Sequence, residues 1–255
     1  MTAVTSSGRL ATDRHCHLVS LTFATVVRRG LIAGAADGIA SATVLLVLGE
    51  PRISDAIAIE RTASSTGHQE MFSRTVQVVG GAGAAVIAGL GLGFVYALVF
   101  ATVRHRLHWP SDAHRAVALA AAGFVILGLV PFLKYPANPP GIGDPDTIGR
   151  RTIAYILLLV VVVLAIVVSV NVMRTVRQRT AVTGVAWAAA AGSGVMVVVV
   201  ACLVLPASDP IPARFPAQLL WEFRLVSLAA LAAMWTAIGL VMASLCSREP
   251  DPVGA

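Results

Sequence analysis

Hydrophobic positions in this chain fall into six long blocks, with no β-type alternation between them. The blocks run Gly30–Gly49, Val78–Val103, Ala113–Leu133, Thr152–Met173, Thr183–Leu205 and Leu225–Cys246. A helix crossing a bilayer needs roughly 20 mostly apolar residues at about 1.5 Å each. Every block meets that length. A buried helix of a soluble protein keeps a polar stripe. The stretch Ile153–Val168 has none, being Ile, Leu, Val, Ala and one Tyr. The pattern therefore predicts an all-α membrane protein, a bundle of about six transmembrane helices. It divides the chain into a disordered cytoplasmic tail over 1–28, a transmembrane domain over 29–247 and a short cytoplasmic tail over 248–255. The first 28 residues do not read as a signal peptide. Arg9, Asp13, Arg14, His15 and His17 interrupt any apolar core.

Composition agrees with the pattern. The chain is 57% hydrophobic and 13% charged, with a mean hydropathy of +0.82. Soluble domains carry about twice that charge. Disorder and a basic nucleic-acid module are excluded, since both need more charge. Aromatic residues are too few for the girdles of a β-barrel. Cys16, Cys202 and Cys246 are widely spaced and read as small packing residues, without a disulfide framework.

The net charge of +6 resolves on this topology. With the N-terminus inside, the inner segments carry eleven basic residues: Arg9, Arg14, Arg28, Arg29, Arg104, Arg106, Arg115, Arg174, Arg177, Arg179 and Arg248. The longer outer loops carry eight: Arg52, Arg61, Arg74, Lys134, Arg150, Arg151, Arg214 and Arg224. The positive-inside rule then places both termini in the cytoplasm. Eight acids fall on the outer side: Glu50, Asp55, Glu60, Glu70, Asp144, Asp146, Asp209 and Glu222. Ten prolines, from Pro51 to Pro216, sit on or beside the same loops. Proline fixes φ, so these Pro-rich outer loops are expected to be stiff.

Several groups could carry chemistry. Asp37 is the one acid deep in a span. A charge at the bilayer centre costs at least about 2.5–3.5 kcal/mol, so Asp37 should face the bundle or water. It is either a relay for a cation or proton, or a packing residue. Gly30, Gly34 and Gly38 repeat at intervals of four, and Gly89 and Gly93 form a second such pair. Such residues let helices approach closely, so the first and second spans should be tightly packed with Asp37 near their seam. In the first outer loop, Arg52–Ala63 has the spacing of a short interfacial helix. Glu50, Asp55, Glu60, His68 and Glu70 are oxygen and imidazole groups that suit divalent first-row metals. A solvated charged loop is the plainer alternative. In the second outer loop, Asp146 is placed to cap the next helix. Arg150 and Arg151 could pair with Asp144, leaving a rigid cap or a carboxylate-lined entrance. His105, His108 and His114 lie on an inner loop. They suit a handoff site or, for His108 beside Trp109, an interfacial belt. No P-loop accompanies the single lysine, Lys134, so the chain has no ATP site of that kind. HExxH and GxSxG are also absent, and the chain is not read as an enzyme.

The string Lys134-Tyr135-Pro136-Ala137-Asn138-Pro139-Pro140-Gly141-Ile142-Gly143-Asp144-Pro145-Asp146-Thr147-Ile148-Gly149-Arg150-Arg151-Thr152 resembles the signature of the CbtA family, described as a probable cobalt transporter subunit. The segments Gly49–Glu60, His68–Gln77 and Phe215–Leu228 resemble it too, so the similarity spans about Arg28–Ser247. The resemblance implies a multi-pass protein of the bacterial cytoplasmic membrane. It implies a role in cobalt uptake linked to cobalamin synthesis, beside a small His-bearing CbtB-like membrane subunit. Carried over from it are Glu50, Asp55, Glu60, His68, Glu70, Asp144 and Asp146 as metal-facing groups. Lys134, Asn138, Arg150 and Arg151 join them as residues of the path. Asp37 has no counterpart in that pattern. The expected substrate is Co²⁺, with no permanently bound cofactor and no nucleic acid. The rival reading is a docking or assembly subunit without its own permeation path.

Overall fold

The computed structural model describes residues 23–63, 73–140, 142–143, 145–213 and 215–247. All regular structure among them is helical. Helix α1 spans Phe23–Val44 and passes through a π-helical turn, Leu45–Gly49, into α2, Glu50–Ala63. Helix α3 spans Arg74–Val103. The third crossing is α4, Asp112–Gly123, a π-helical stretch Phe124–Leu129 and α5, Val130–Lys134. Helices α6, α7 and α8 span Ile148–Arg179, Thr183–Val204 and Ala217–Ser247. Among the described residues, six segments are long and apolar enough to cross a membrane, which makes this a multi-pass membrane protein.

The first crossing differs from the expected one. Gly49 does not end it: Arg52–Ala63 is helical as expected, within α2, but joins α1 in one continuous helical path from Phe23 to Ala63. It also begins within the segment assigned to the tail. The reason for the continuity lies at Pro51. A proline inside a helix removes a donor and collides with the carbonyl four residues back. The π turn just before it widens the coil, with the Glu50 N–H donating to the Leu45 carbonyl. The third crossing repeats this at Pro131, with the Val130 N–H donating to the Val125 carbonyl. Both crossings thus absorb a proline without breaking.

Packing is densest around α1, which lies against α3 and α8, while α4 also packs on α8. Val26, Ala33, Tyr96, Phe100, Ala120, Trp235 and Met242 form the core of this four-helix part. The buried Tyr96 hydroxyl donates to the Ala116 carbonyl at 2.6 Å and ties α3 to α4. Helices α6 and α7 pair with each other. They join the rest through Leu158, Val162 and Ala201 beside Ile126 and Val130 of the third crossing. Helix α6 continues past Met173, so Arg174, Arg177 and Arg179 lie on its last turns. Cations are favoured there by the helix dipole. The α1 start and the α8 end share one end of the bundle with these arginines, called here the arginine end. The proline-bearing loops form the loop end.

Candidate functional site

The α1–α3 seam is the closest helix approach at a candidate residue. A Cβ on Gly30 would stand 2.6 Å from the Gly93 carbonyl, one on Gly34 2.5 Å from the Gly89 carbonyl, and one on Gly38 2.6 Å from Val86 Cα. The glycine repeats therefore do what their spacing predicts. Asp37 lies in this seam, fully buried. Its Oδ1 occupies the space that a side chain at Gly89 would fill. Neither carboxylate oxygen has a hydrogen-bond partner. An uncompensated carboxylate in such surroundings is costly, so the position calls for a proton or a cation.

At the loop end, the described candidate carboxylates do not gather into one group. Glu50 opens α2 and accepts two bonds from Arg74, whose Nε stands 2.9 Å away. Asp55 and Glu60 are exposed along α2. His68, Glu70 and Asp144 lie outside the described residues. Asp146 sits in a short 3₁₀ turn, Pro145–Thr147, one residue before the cap position of α6. Thr147 takes the cap position instead, and its hydroxyl donates to Asp209 Oδ2 at 2.6 Å. That bond pins the loop one residue later than the expected cap. Among the described residues no three His, Cys, Asp or Glu side chains gather as a metal group.

The residues expected to line a path serve in the structure as anchors. Lys134 Nζ donates to the carbonyls of Cys202 and Leu205 at 2.8 and 3.1 Å, closing the end of α7. Asn138 Oδ1 accepts from Arg224 at 2.9 Å. Arg150 and Arg151 pair with Asp209 at 3.6 and 3.4 Å. Gly143 has φ of +107°, a left-handed conformation that favours glycine. Its missing Cβ leaves room for the Arg151 guanidinium.

The CbtA family profile, a probable cobalt transporter subunit, matches residues 23–247. The protein belongs to the CbtA family. No curated protein and no solved structure matches the chain. The family's description as a subunit implies a metal ion and a further subunit.

Within this CbtA-family chain, Asp209 is the site residue that sequence reasoning missed. Its side chain is only 6% exposed and gathers Thr147, Arg150 and Arg151 from the other Pro-rich loop. In the sequence it is one acid of eight on that side, and nothing local marks it. Asp209→Ala should destabilise the protein by about 1–3 kcal/mol, because a hydrogen bond to a charged group is lost. Both arginines retain solvent, which keeps the loss below that of a fully buried pair. Thermal unfolding in detergent measures it. A variant that melts with the wild type would remove Asp209 from the loop anchor. Arg52 and Glu222, 3.4 Å apart, make a second tie, between α2 and α8.

Proposed function

We propose that the chain is the membrane-spanning subunit of a cobalt uptake system, with both termini in the cytoplasm and the loop end facing outward. The membrane is that of a bacterial cell. Glu50, Asp55, Glu60, His68, Glu70, Asp144 and Asp146 collect the divalent cation at the loop end. Lys134, Asn138, Arg150 and Arg151 hold the loops that frame its approach, and Asp37 is the group it meets inside the bundle. The carrying observation is Asp37, a fully buried carboxylate whose oxygens have no partner. Hard oxygen and imidazole donors suit Co²⁺ without excluding Ni²⁺ or Zn²⁺. A divalent ion moving inward gains about 4.6 kcal/mol per 100 mV, twice the single-charge value, so the membrane potential favours uptake without nucleotide hydrolysis. A CbtB-like subunit is the proposed partner.

The test is uptake of radiolabelled Co²⁺ into vesicles. Alanine at His68, Glu70 and Asp144 together should lower uptake by about 10–100-fold, the range seen when support of a metal site is removed. Unchanged uptake would overturn the outer collecting site. One observation favours the docking reading instead: Glu50, Glu222 and Asp209 are each held by arginine. Vesicles that take up Co²⁺ only when a second subunit supplies the path would establish it.

A further inference from the structure

A groove runs between α4 and α8, beginning at the arginine end. Its wider part, about 540 Å³, starts at Trp109 and His114 and passes Val117 and Ala121, with Ala243 of α8 opposite. A narrower part of about 240 Å³ shares Val117 and Ala121 and continues to Phe124 and Trp235. The two helices meet closely along one line. A Cβ on Gly239 would stand 2.7 Å from the Ala120 Cβ, and the Trp235 ring fills the space that a side chain at Gly123 would need. Beside that line the walls are largely alanine, too short to close the gap.

The depth of the groove is half a bilayer. The third crossing runs from Asp112 to Lys134. The groove follows it from Ala113 to Phe124, about 16 Å at 1.5 Å per residue. On α8 it runs from Ala243 back to Ala232, the same distance. A hydrocarbon core about 30 Å thick gives each leaflet about 15 Å. A partner's spanning helix would need a seat along the whole crossing. An acyl chain entering from the interface needs only this half. Trp109 stands at the entrance, and indole rings collect at headgroup level.

Charge at the entrance selects the headgroup. Arg104 and Arg106 lie on a 3₁₀ turn just before Trp109. Asp112 is shared by Arg104 and Arg115, at 3.0 and 2.6 Å, so one acid answers two arginines. Arg115 Nε is buried without a hydrogen-bond partner. Arg106 is exposed and has no ion-pair partner among the described residues. Three arginines against one aspartate leave this corner positive. His114, whose Nδ1 lies 2.7 Å from the Ser111 hydroxyl, adds a polar ring inside the groove itself. A phosphate is the complementary group.

We propose that the groove seats one acyl chain of an anionic phospholipid from the leaflet at the arginine end, with the phosphate held at the entrance by Arg106 and His114. This lipid site is independent of the transport reading, since neither Asp37 nor any loop-end carboxylate lines it.

The full chain in neutral detergent is offered phosphatidylglycerol or phosphatidylcholine with the same acyl chains, and bound lipid is counted by native mass spectrometry. The wild type should retain one phosphatidylglycerol and prefer it by at least about tenfold, since each basic residue near an anionic headgroup is worth about fivefold. Arg106→Gln should cut that preference about fivefold. Ala121→Leu places a branched side chain where the two parts of the groove join, and should abolish retention of either lipid. Ala121 is exposed on α4 and leucine is a good helix former, so the fold should survive. Ala122→Leu, the next residue and outside the groove, should bind as the wild type does. Equal retention of the two lipids by the wild type overturns the proposal, as does wild-type retention by Ala121→Leu. A wild-type mass showing a second copy of the chain in place of lipid, lost in Ala121→Leu, also overturns it. Should Ala121→Leu not fold, Arg106→Gln decides alone, and an unchanged preference overturns the proposal.

Discussion

Asp37→Asn should abolish most Co²⁺ uptake while leaving the protein as stable as before, or more so. The two halves of this expectation come from one geometry. Asparagine has the same shape, so it fits the space left by Gly89 and preserves the seam. It breaks no hydrogen bond, because the carboxylate makes none. It removes a buried charge without a partner, and burying such a charge is costly. The melting temperature in detergent should therefore stay level or rise. Uptake, in contrast, should fall by about 10–100-fold or more, since a neutral amide is a poor ligand for a hard divalent cation. A residue that only packs would leave uptake unchanged, and that result would remove Asp37 from the path. Loss of both stability and uptake would point to a structural role, because the seam would then depend on the carboxylate itself.

The same residue marks how far the sequence reaches. Its place in the seam is legible because three signals coincide in one span: apolar length, an isolated acid, and glycines repeating every four residues. Each is local, and helical periodicity converts it directly into a face. The crossings are legible for the same reason. What the sequence hides is set by contacts between distant segments. Asp209 and its partner Thr147 are 62 residues apart, and no spacing rule connects one Pro-rich loop with the other. Arg74 and Glu50 are 24 residues apart across segment 64–72, so their pairing needs the folded α2 and α3. The cap position of α6 falls on Thr147 rather than Asp146, and Thr147 bonds Asp209 of the other loop. The π turns before Pro51 and Pro131 are a middle case. The prolines announce a disturbance, but whether a helix breaks, kinks or widens depends on the neighbours that hold it. Here α8 packs against both π segments and holds the chain on course.

The largest loss of stability should come from Gly93→Leu, which should prevent accumulation of folded protein. A Cβ at Gly93 would meet the Gly30 carbonyl and stand 2.6 Å from Gly34 Cα. These are backbone atoms of α1 and cannot rotate aside, so any side chain must push the helices apart. Gly93→Ala should already cost about 1–3 kcal/mol, the usual range for overpacking. Leucine has no room at any rotamer without opening the whole crossing. Gly91→Ala, two residues away, is the control. A Cβ there meets nothing within 4 Å. Alanine is the better helix former by up to about 1 kcal/mol, so this variant should be neutral or stabilising. Within one turn of α3, then, the same exchange should carry opposite signs. Thermal melting and the yield of monodisperse protein in detergent measure both. Equal melting of the two alanine variants would mean that α1 and α3 do not meet at Gly93. Asp37 would then lose the tight seam that isolates its carboxylate from water, and with it the reason its removal should silence transport.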